Sequence, residues 1–313
     1  MNVDKKYLFF FIKIIISLII ICLLVSKIPL NNIKDQITSD NVINIFSLGL
    51  FLSLITLLPS LRWNLLLRAQ KVNLDKLLTY KLLMVSTFFG QLLPGFIGSD
   101  TLRALSLKKR GYTIAHAVNS IIYDRIFALI SLIFIVEINL FIWKDFTPSV
   151  ISIISNILFC LIITLLLLLK IFETRFLKFS HFNKYLVYLH YILGNKKALI
   201  KIFALSFLSH YLVFFMAFLL GLALNMPADL KMYAFAMPVI IFASVLPITI
   251  SGWGVREGAS IFVFGIFNIP PGQAFIFSIS FGLITMISSV PGLFFFLWEK
   301  KLILEGKNVK EKF

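Results

Sequence analysis

The chain has 313 residues, of which 59% are hydrophobic and 14% are charged, and its mean hydropathy is +0.96. Soluble domains are about 45–50% apolar and about 25% charged, so this composition excludes a soluble globular enzyme and indicates an integral membrane protein. The net charge of +16 does not indicate a nucleic-acid partner, because the basic residues lie in short segments beside apolar runs. Basic residues in such positions orient membrane spans and attract anionic lipids.

Apolar runs about 20 residues long predict six full membrane spans. Two further apolar regions, 78–107 and 232–268, are each interrupted near the middle, so we expect each to form a broken-helix, re-entrant hairpin. The expected fold is an all-α integral membrane domain over residues 1–313 with about eight membrane segments. The full spans are predicted at about 7–27, 42–61, 118–142, 150–170, 199–224 and 273–298.

Lysine and arginine are concentrated in alternate loops, and the positive-inside rule then sets the orientation. It predicts a cytoplasmic N-terminus, a cytoplasmic basic loop at 172–197 and a cytoplasmic tail at 301–313. The first hairpin then opens toward the cytoplasm and the second toward the outside. Residues 1–149 and 150–300 would therefore form inverted halves, each with the order span, span, hairpin, span, which is typical of transporters.

Both hairpins carry the same short pattern where they are interrupted. Pro94 and Pro247 are the predicted helix breaks, and an arginine follows each proline after nine residues, at Arg103 and Arg256. Glycine between proline and arginine permits a sharp chain reversal. The second half-helix of each hairpin would then point its N-terminus into the membrane.

The ends of these half-helices predict an anion site. Ser99 or Asp100 is the expected N-cap in the first hairpin, and Ser251 is a possible one in the second. Free N–H groups and the positive end of the helix dipole attract an anion, and arginine binds phosphate bidentately. The predicted ligands of a lipid phosphate are Arg103, Arg256, Gly98, Gly252 and Gly254.

Charge inside a membrane is costly, so these arginines need partners. Asp100 and Glu257 stand close to the two arginines in the sequence, and Asp124 and Arg125 form a further pair in the span at 118–142. We interpret the four residues as ion pairs that support the site. The alternative is that they only brace the hairpins.

Other polar residues are assigned to anchoring or packing. Arg62 and Trp63 follow the second span, so we expect them to anchor it at the membrane interface. The histidines and the two cysteines lack the spacing of metal ligands, and the chain has no hydrolase, ATPase or dinucleotide motif. We therefore expect no metal and no cofactor, and transport that is passive or driven by an ion gradient.

Together these motifs resemble the lysylphosphatidylglycerol synthetase transmembrane region, also called the flippase-like domain family. The resemblance covers about residues 8–300 and implies translocation or presentation of a lipid, without the aminoacyl-transferase domain of the bifunctional members. Stand-alone relatives often go with glycosyltransferase and polyprenyl-phosphate pathways. At Asp124 the chain departs from the glutamate that is frequent in the family. The matching segments are Arg62-Trp63, Gln91-Leu92-Leu93-Pro94-Gly95, Gly98-Ser99-Asp100, Arg103, Arg110-Gly111, Ala117, Asp124-Arg125, Leu246-Pro247 and Gly252-Trp253-Gly254-Val255-Arg256-Glu257-Gly258-Ala259.

The expected function is flipping of an anionic phospholipid or a polyprenyl-phosphate-linked lipid across the cytoplasmic membrane, rather than an enzymatic reaction. One alternative is an integral-membrane transferase for lipid-linked sugars, in which Asp100, Asp124 or Glu257 acts as a base or metal ligand. Another is a membrane partner that recruits a cytoplasmic glycosyltransferase through the basic loop at 172–197.

Overall fold

The computed structural model describes residues 39–92, 96–144, 194–245 and 251–298, together with residue 249 and separate positions within 15–26 and 149–192. Every regular element in this part of the chain is an α-helix, which confirms the predicted all-α membrane fold. The helices are α1 (Ser39–Ile55), α2 (Leu57–Ala69), α3 (Lys76–Leu92), α4 (Phe96–Lys109), α5 (Ile114–Ile142), α6 (Lys196–Ala223), α7 (Leu230–Val245), α8 (Val255–Ile266) and α9 (Pro271–Trp298).

Four helical stretches of the described residues are long and apolar enough to cross a membrane. They overlap the predicted spans at 42–61, 118–142, 199–224 and 273–298. The first joins α1 to α2 through Thr56 and therefore continues well beyond residue 61. The predicted spans at 7–27 and 150–170 and the loop at 172–197 lie mostly outside the described residues, and the tail at 301–313 lies wholly outside them. The four stretches are Asp40–Ala69, Ile114–Ile142, Lys196–Ala223 and Pro271–Trp298.

Each interrupted apolar region forms two helices that pack against each other, α3 with α4 and α7 with α8. Helix α4 has 14 residues and α8 has 12. Both are shorter than the roughly 20 residues that a full crossing needs. The predicted helix breaks Pro94 and Pro247, with Gly95, lie outside the described residues.

The predicted N-cap of the first hairpin is wrong. Helix α4 already begins at Phe96, so Ser99 and Asp100 lie inside it. Ser99 packs against α3 instead, where a Cβ added to Gly90 would lie 2.8 Å from the Ser99 Cβ. This close approach of the two helices occupies the side chain that capping would require.

The predicted cap of the second hairpin is also wrong. Helix α8 has Gly254 as its N-cap, with φ of +91°, and Ser251 lies before it. The Gly254 N–H donates to the carboxylate of Glu257, the third residue of the helix, so this end is satisfied without a serine. Glycine is required here because L side chains rarely adopt this φ.

The two hairpins have corresponding packing partners. Helix α3 packs against α9 and α7 packs against α5, while α4 packs against α5 and α8 against α9. Close approach of α3 and α9 depends on a small residue, since a Cβ on Gly292 would lie 2.2 Å from the Met84 carbonyl oxygen. These contacts place both hairpins beside the spans of the opposite half. The inverted orientation of the halves stays a prediction.

Candidate functional site: a polar cavity between the hairpins

A cavity of about 340 Å³ lies between the two hairpins and the neighbouring spans. Arg103 of α4 and Arg256 of α8 both line it, although they are far apart in the sequence. Arg62 of α2 and Arg125 of α5 line it as well. The structure therefore brings four arginines to one concave site.

Arg103 is held by contacts on several sides. Its side chain is 2% exposed, its Nη2 lies 3.1 Å from Asp124 Oδ2, and its Nη1 lies 3.7 Å from Asp100 Oδ1. The Cζ atom lies 4.1 Å from the ring centre of Trp63, a cation–π contact. The Nε atom has no hydrogen-bond partner among the described residues.

Asp124 is shared between two arginines. Its Oδ1 accepts a 2.8 Å hydrogen bond from Arg62 Nε, and Arg62 Nη1 also donates to Ser206 Oγ at 3.0 Å. The Asp124 carboxylate of α5 therefore links α2 to α4. Removing this carboxylate would leave both buried arginines without compensation of their charge.

The interfacial role predicted for Arg62 and Trp63 is wrong. Arg62 is 5% exposed and Trp63 is fully buried, with its Nε1 donating to Ser120 Oγ at 3.1 Å. Because α2 continues to Ala69, these residues lie inside the helix instead of at its end. One signal in the sequence could have indicated this role. Asp124 is an acidic residue within a predicted span, where it needs a cationic partner.

Asp124 and Arg125 do not pair with each other. The two carboxylate oxygens of Asp124 accept from Arg62 and Arg103 instead. Arg125 donates from Nη2 to Asp100 Oδ1 at 3.1 Å, and its side chain is 39% exposed. Asp100 thus contacts both Arg103 and Arg125, and joins α4 to α5 at the exposed side of the cavity.

Arg256 has an equivalent arrangement in the second hairpin. Its Nε and Nη2 donate to Glu257 Oε1 at 3.0 and 2.8 Å, and its Cζ lies 4.4 Å from the ring centre of Trp253. Glu257 is fully buried and also accepts from Ser278 Oγ at 3.1 Å. Each hairpin therefore presents an arginine that is fixed by a carboxylate and an indole ring.

One glycine in α9 makes room for this guanidinium. A Cβ added to Gly282 would lie 2.2 Å from Arg256 Nη2. No local pattern in the sequence distinguishes this glycine, because the contact joins two separate helices. Sequence reasoning therefore missed it.

The tips of the two hairpins touch each other at the cavity. Ser251 Oγ donates to the carbonyl oxygens of Gly90 at 3.1 Å and Gln91 at 3.3 Å, which are among the last of α3. Ser251 and Gly252 have φ of +50° and +79°. All four residues line the cavity.

The predicted glycine ligands divide into two groups. Gly252 lines the cavity, whereas Gly98 in the first turn of α4 and Gly254 at the start of α8 are not among its lining residues. The charges that meet here are four arginines and three carboxylates, an excess of one positive charge. They are Arg62, Arg103, Arg125 and Arg256, with Asp100, Asp124 and Glu257.

Comparisons with known proteins place the chain among membrane proteins. The profile of the Lysylphosphatidylglycerol synthase TM region family matches residues 10–292. The UPF0104 membrane protein MJ1078 of Methanocaldococcus jannaschii is 27% identical over 235 residues, which cover 71% of this chain and 99% of that protein. No solved structure matches. The chain therefore belongs to the Lysylphosphatidylglycerol synthase TM region family.

Proposed function

We propose that the protein flips an anionic lipid across the cytoplasmic membrane and binds the headgroup phosphate between its two hairpins. The observation that carries the proposal is that Arg103 and Arg256, one from each hairpin, line the same cavity. Its volume of about 340 Å³ is at the low end for ligand pockets, which range from about 300 to 1,000 Å³. This size suits a headgroup better than a complete lipid.

The charge of the site favours an anion. Four arginines and three carboxylates leave one positive charge uncompensated, in surroundings where charge is costly. The Arg103 Nε–H is buried without an acceptor among the described residues. A buried donor without a partner costs about 1–3 kcal/mol, and a phosphate oxygen would supply the missing acceptor.

The arrangement of the hairpins supports transport. The binding residues come from two helix pairs that belong to the two predicted halves, and Ser251 joins their tips by hydrogen bonds to the end of α3. Rocking of one half against the other would expose such a site alternately to the two membrane surfaces. An anionic phospholipid and a polyprenyl-phosphate-linked lipid carry the same phosphate chemistry, so both are proposed substrates.

Translocation in proteoliposomes tests the proposal. Arg103→Lys and Arg256→Lys keep the charge but lose bidentate phosphate binding, so we expect flipping of headgroup-labelled phosphatidylglycerol to slow about tenfold or more. Arg68→Lys is the matched control, because Arg68 is an exposed arginine of α2 outside the cavity. Rates equal to wild type in both cavity variants, with unchanged thermal stability, would falsify the proposal.

The geometry favours this function over a transferase reaction. Glu257 accepts hydrogen bonds from Arg256, Ser278 and the Gly254 N–H, and Asp124 lies between two arginines. A general base would have to be released from these contacts before it could take a proton. Consumption of a lipid-linked sugar by the purified protein would instead support the transferase hypothesis.

A further inference from the structure

Hydroxyl side chains line the same cavity beside the arginines. Five of them, Thr56, Ser86, Thr87, Ser244 and Thr285, donate their only proton to a backbone carbonyl three or four residues earlier, at 2.7–3.0 Å. A hydroxyl has one donor and two acceptor lone pairs. These oxygens therefore retain accepting capacity while their donors are occupied, and the cavity combines arginine donors with hydroxyl acceptors.

One further hydroxyl of the cavity has no hydrogen-bond partner among the described residues. Thr249 lines the cavity and is 1% exposed, and its Oγ1 makes no hydrogen bond to any residue that the structure describes. A buried polar group without a partner destabilises the fold unless a bound molecule completes its bonding. Thr249 therefore marks a second polar contact point in the cavity besides the guanidinium groups.

We propose that the cavity recognises a phosphorylated polyol, that is, a glycerol or sugar unit that carries a phosphate. The inference rests on the proposed function, since the phosphate occupies the arginines of the same site. The hydroxyls of the ligand donate to the oxygens of Ser86, Thr87 and Thr285, and one of them pairs with Thr249. An amine headgroup is disfavoured, because its ammonium would lie close to the guanidinium groups that line the cavity.

Three soluble phosphate monoesters separate the two subsites. The probes are sn-glycerol 3-phosphate, methyl phosphate and phosphoethanolamine, added to the purified full-length protein and followed by tryptophan fluorescence, since Trp63 and Trp253 stack on the arginines. We expect glycerol phosphate to bind about fivefold more tightly than methyl phosphate, the value of one added hydrogen bond. Phosphoethanolamine is expected to bind more weakly than glycerol phosphate.

Two serines provide a matched pair of variants. Ser86 and Ser131 are both buried, and each donates to a carbonyl of its own helix at 2.7 Å, but only Ser86 lines the cavity. Ser86→Ala is expected to weaken glycerol phosphate about fivefold and to leave methyl phosphate unchanged. Ser131→Ala is expected to change neither affinity.

Thr249→Val distinguishes recognition from a structural role. It removes a buried hydroxyl that has no partner among the described residues, so the thermal midpoint should rise while the affinity for glycerol phosphate falls. A hydroxyl that only supports the fold would lower the midpoint on removal. A lower midpoint with unchanged glycerol phosphate affinity would overturn the role of Thr249 and of the polyol subsite.

A lipid assay identifies the source of the polyol. If Ser86→Ala slows flipping of phosphatidylglycerol but not of phosphatidic acid, the polyol is a lipid headgroup; if it weakens only soluble glycerol phosphate, the ligand is a free ester. Either result supports the inference. Equal binding of all three monoesters overturns it and leaves the phosphate site intact, whereas absence of binding by any monoester, with no lipid translocation, overturns both proposals.

Discussion

At the scale of single residues, two arginines reach the same environment by different routes. Arg256 pairs with the carboxylate of the next residue in the chain, Glu257, whereas Arg103 pairs with Asp124 of another helix. The first arrangement is nearly local and the second exists only after α4 and α5 pack. Changes in the packing of α5 should therefore affect Arg103 more than Arg256.

Gly282→Ala tests how tightly the Arg256 guanidinium is confined. The added Cβ would lie 2.2 Å from Nη2, so the side chain must move away from Glu257. We expect a lower thermal midpoint, because the buried carboxylate of Glu257 loses its partner. We also expect at least a tenfold loss of methyl phosphate affinity, because the guanidinium is displaced from its position in the cavity. Differential scanning fluorimetry and the fluorescence titration measure the two effects.

Gly258→Ala is the control for this substitution. A Cβ at this position of α8 would meet nothing within 4 Å, so the change should be neutral or stabilising by about 0.5–1 kcal/mol, as expected for alanine in a helix. An unchanged midpoint and affinity for Gly282→Ala would contradict the close contact between α8 and α9.

The sequence revealed the residues of the site that repeat and missed those that do not. Arg103 and Arg256 were found because the same proline, glycine and arginine pattern occurs twice. Arg62 was assigned to the interface because its charge ends an apolar run, although Asp124 and Ser206 neutralise and solvate it within the protein. Partners supplied by another helix cannot be identified from spacing along a single one.

At the scale of elements, the two hairpins face each other through their tips. Helix α3 ends where Ser251 of the second hairpin donates to its carbonyl groups, so one hairpin completes the hydrogen bonding of the other. Among the described residues, these two hydrogen bonds join the loop before α8 to the end of α3. In the proposed transport cycle, separation of the tips breaks them.

Cross-linking the tips should stop transport. In a background with Cys22→Ser and Cys160→Ser, the pair Gln91→Cys and Ser251→Cys joins the two hairpins, because Ser251 Oγ already lies 3.3 Å from the Gln91 carbonyl oxygen. We expect lipid flipping in proteoliposomes to fall to background after oxidation and to return after reduction.

The single-cysteine variants Gln91→Cys and Ser251→Cys are the controls for cross-linking. Neither can form the disulfide between the hairpins, so oxidation should leave their transport unchanged. Transport at the normal rate in the tip-to-tip cross-linked protein would show that the hairpins do not separate during the cycle.

The helical elements followed from the apolar runs, but their ends did not. Helix α2 extends to Ala69 because Asn64 is buried, with its Nδ2 bonded to the Leu74 carbonyl oxygen at 3.0 Å and to Thr79 Oγ1 at 2.8 Å. Polar residues with such internal partners remain helical, although hydropathy places them at a span end. The start of α4 was missed for a related reason, since Ser99 contacts α3 instead of capping.

At the scale of the whole molecule, the orientation of the halves is the central prediction. The order of helices and their packing partners fit two related halves, and the basic residues predict that the end of α4 is cytoplasmic while the loop before α7 is outside. In the background without native cysteines, Lys108→Cys should resist a membrane-impermeant maleimide in intact cells, whereas Asp229→Cys should react.

Permeabilised cells provide the control for this labelling, since both cysteines should then react. Labelling of both positions from outside in intact cells would contradict the inverted arrangement.

Fold class could be predicted from composition alone, because it depends on averages over the chain. Orientation depends on a few loop charges and therefore requires this direct measurement.

The Ser251 hydroxyl adds a solvation requirement to the proposed transport cycle. If the tips part, the carbonyl oxygens of Gly90 and Gln91 lose a hydrogen-bond donor that a hydrocarbon phase cannot replace. Water would then have to enter as the passage opens, so wetting and domain movement would occur together. Osmolytes that lower water activity should accordingly favour the closed form.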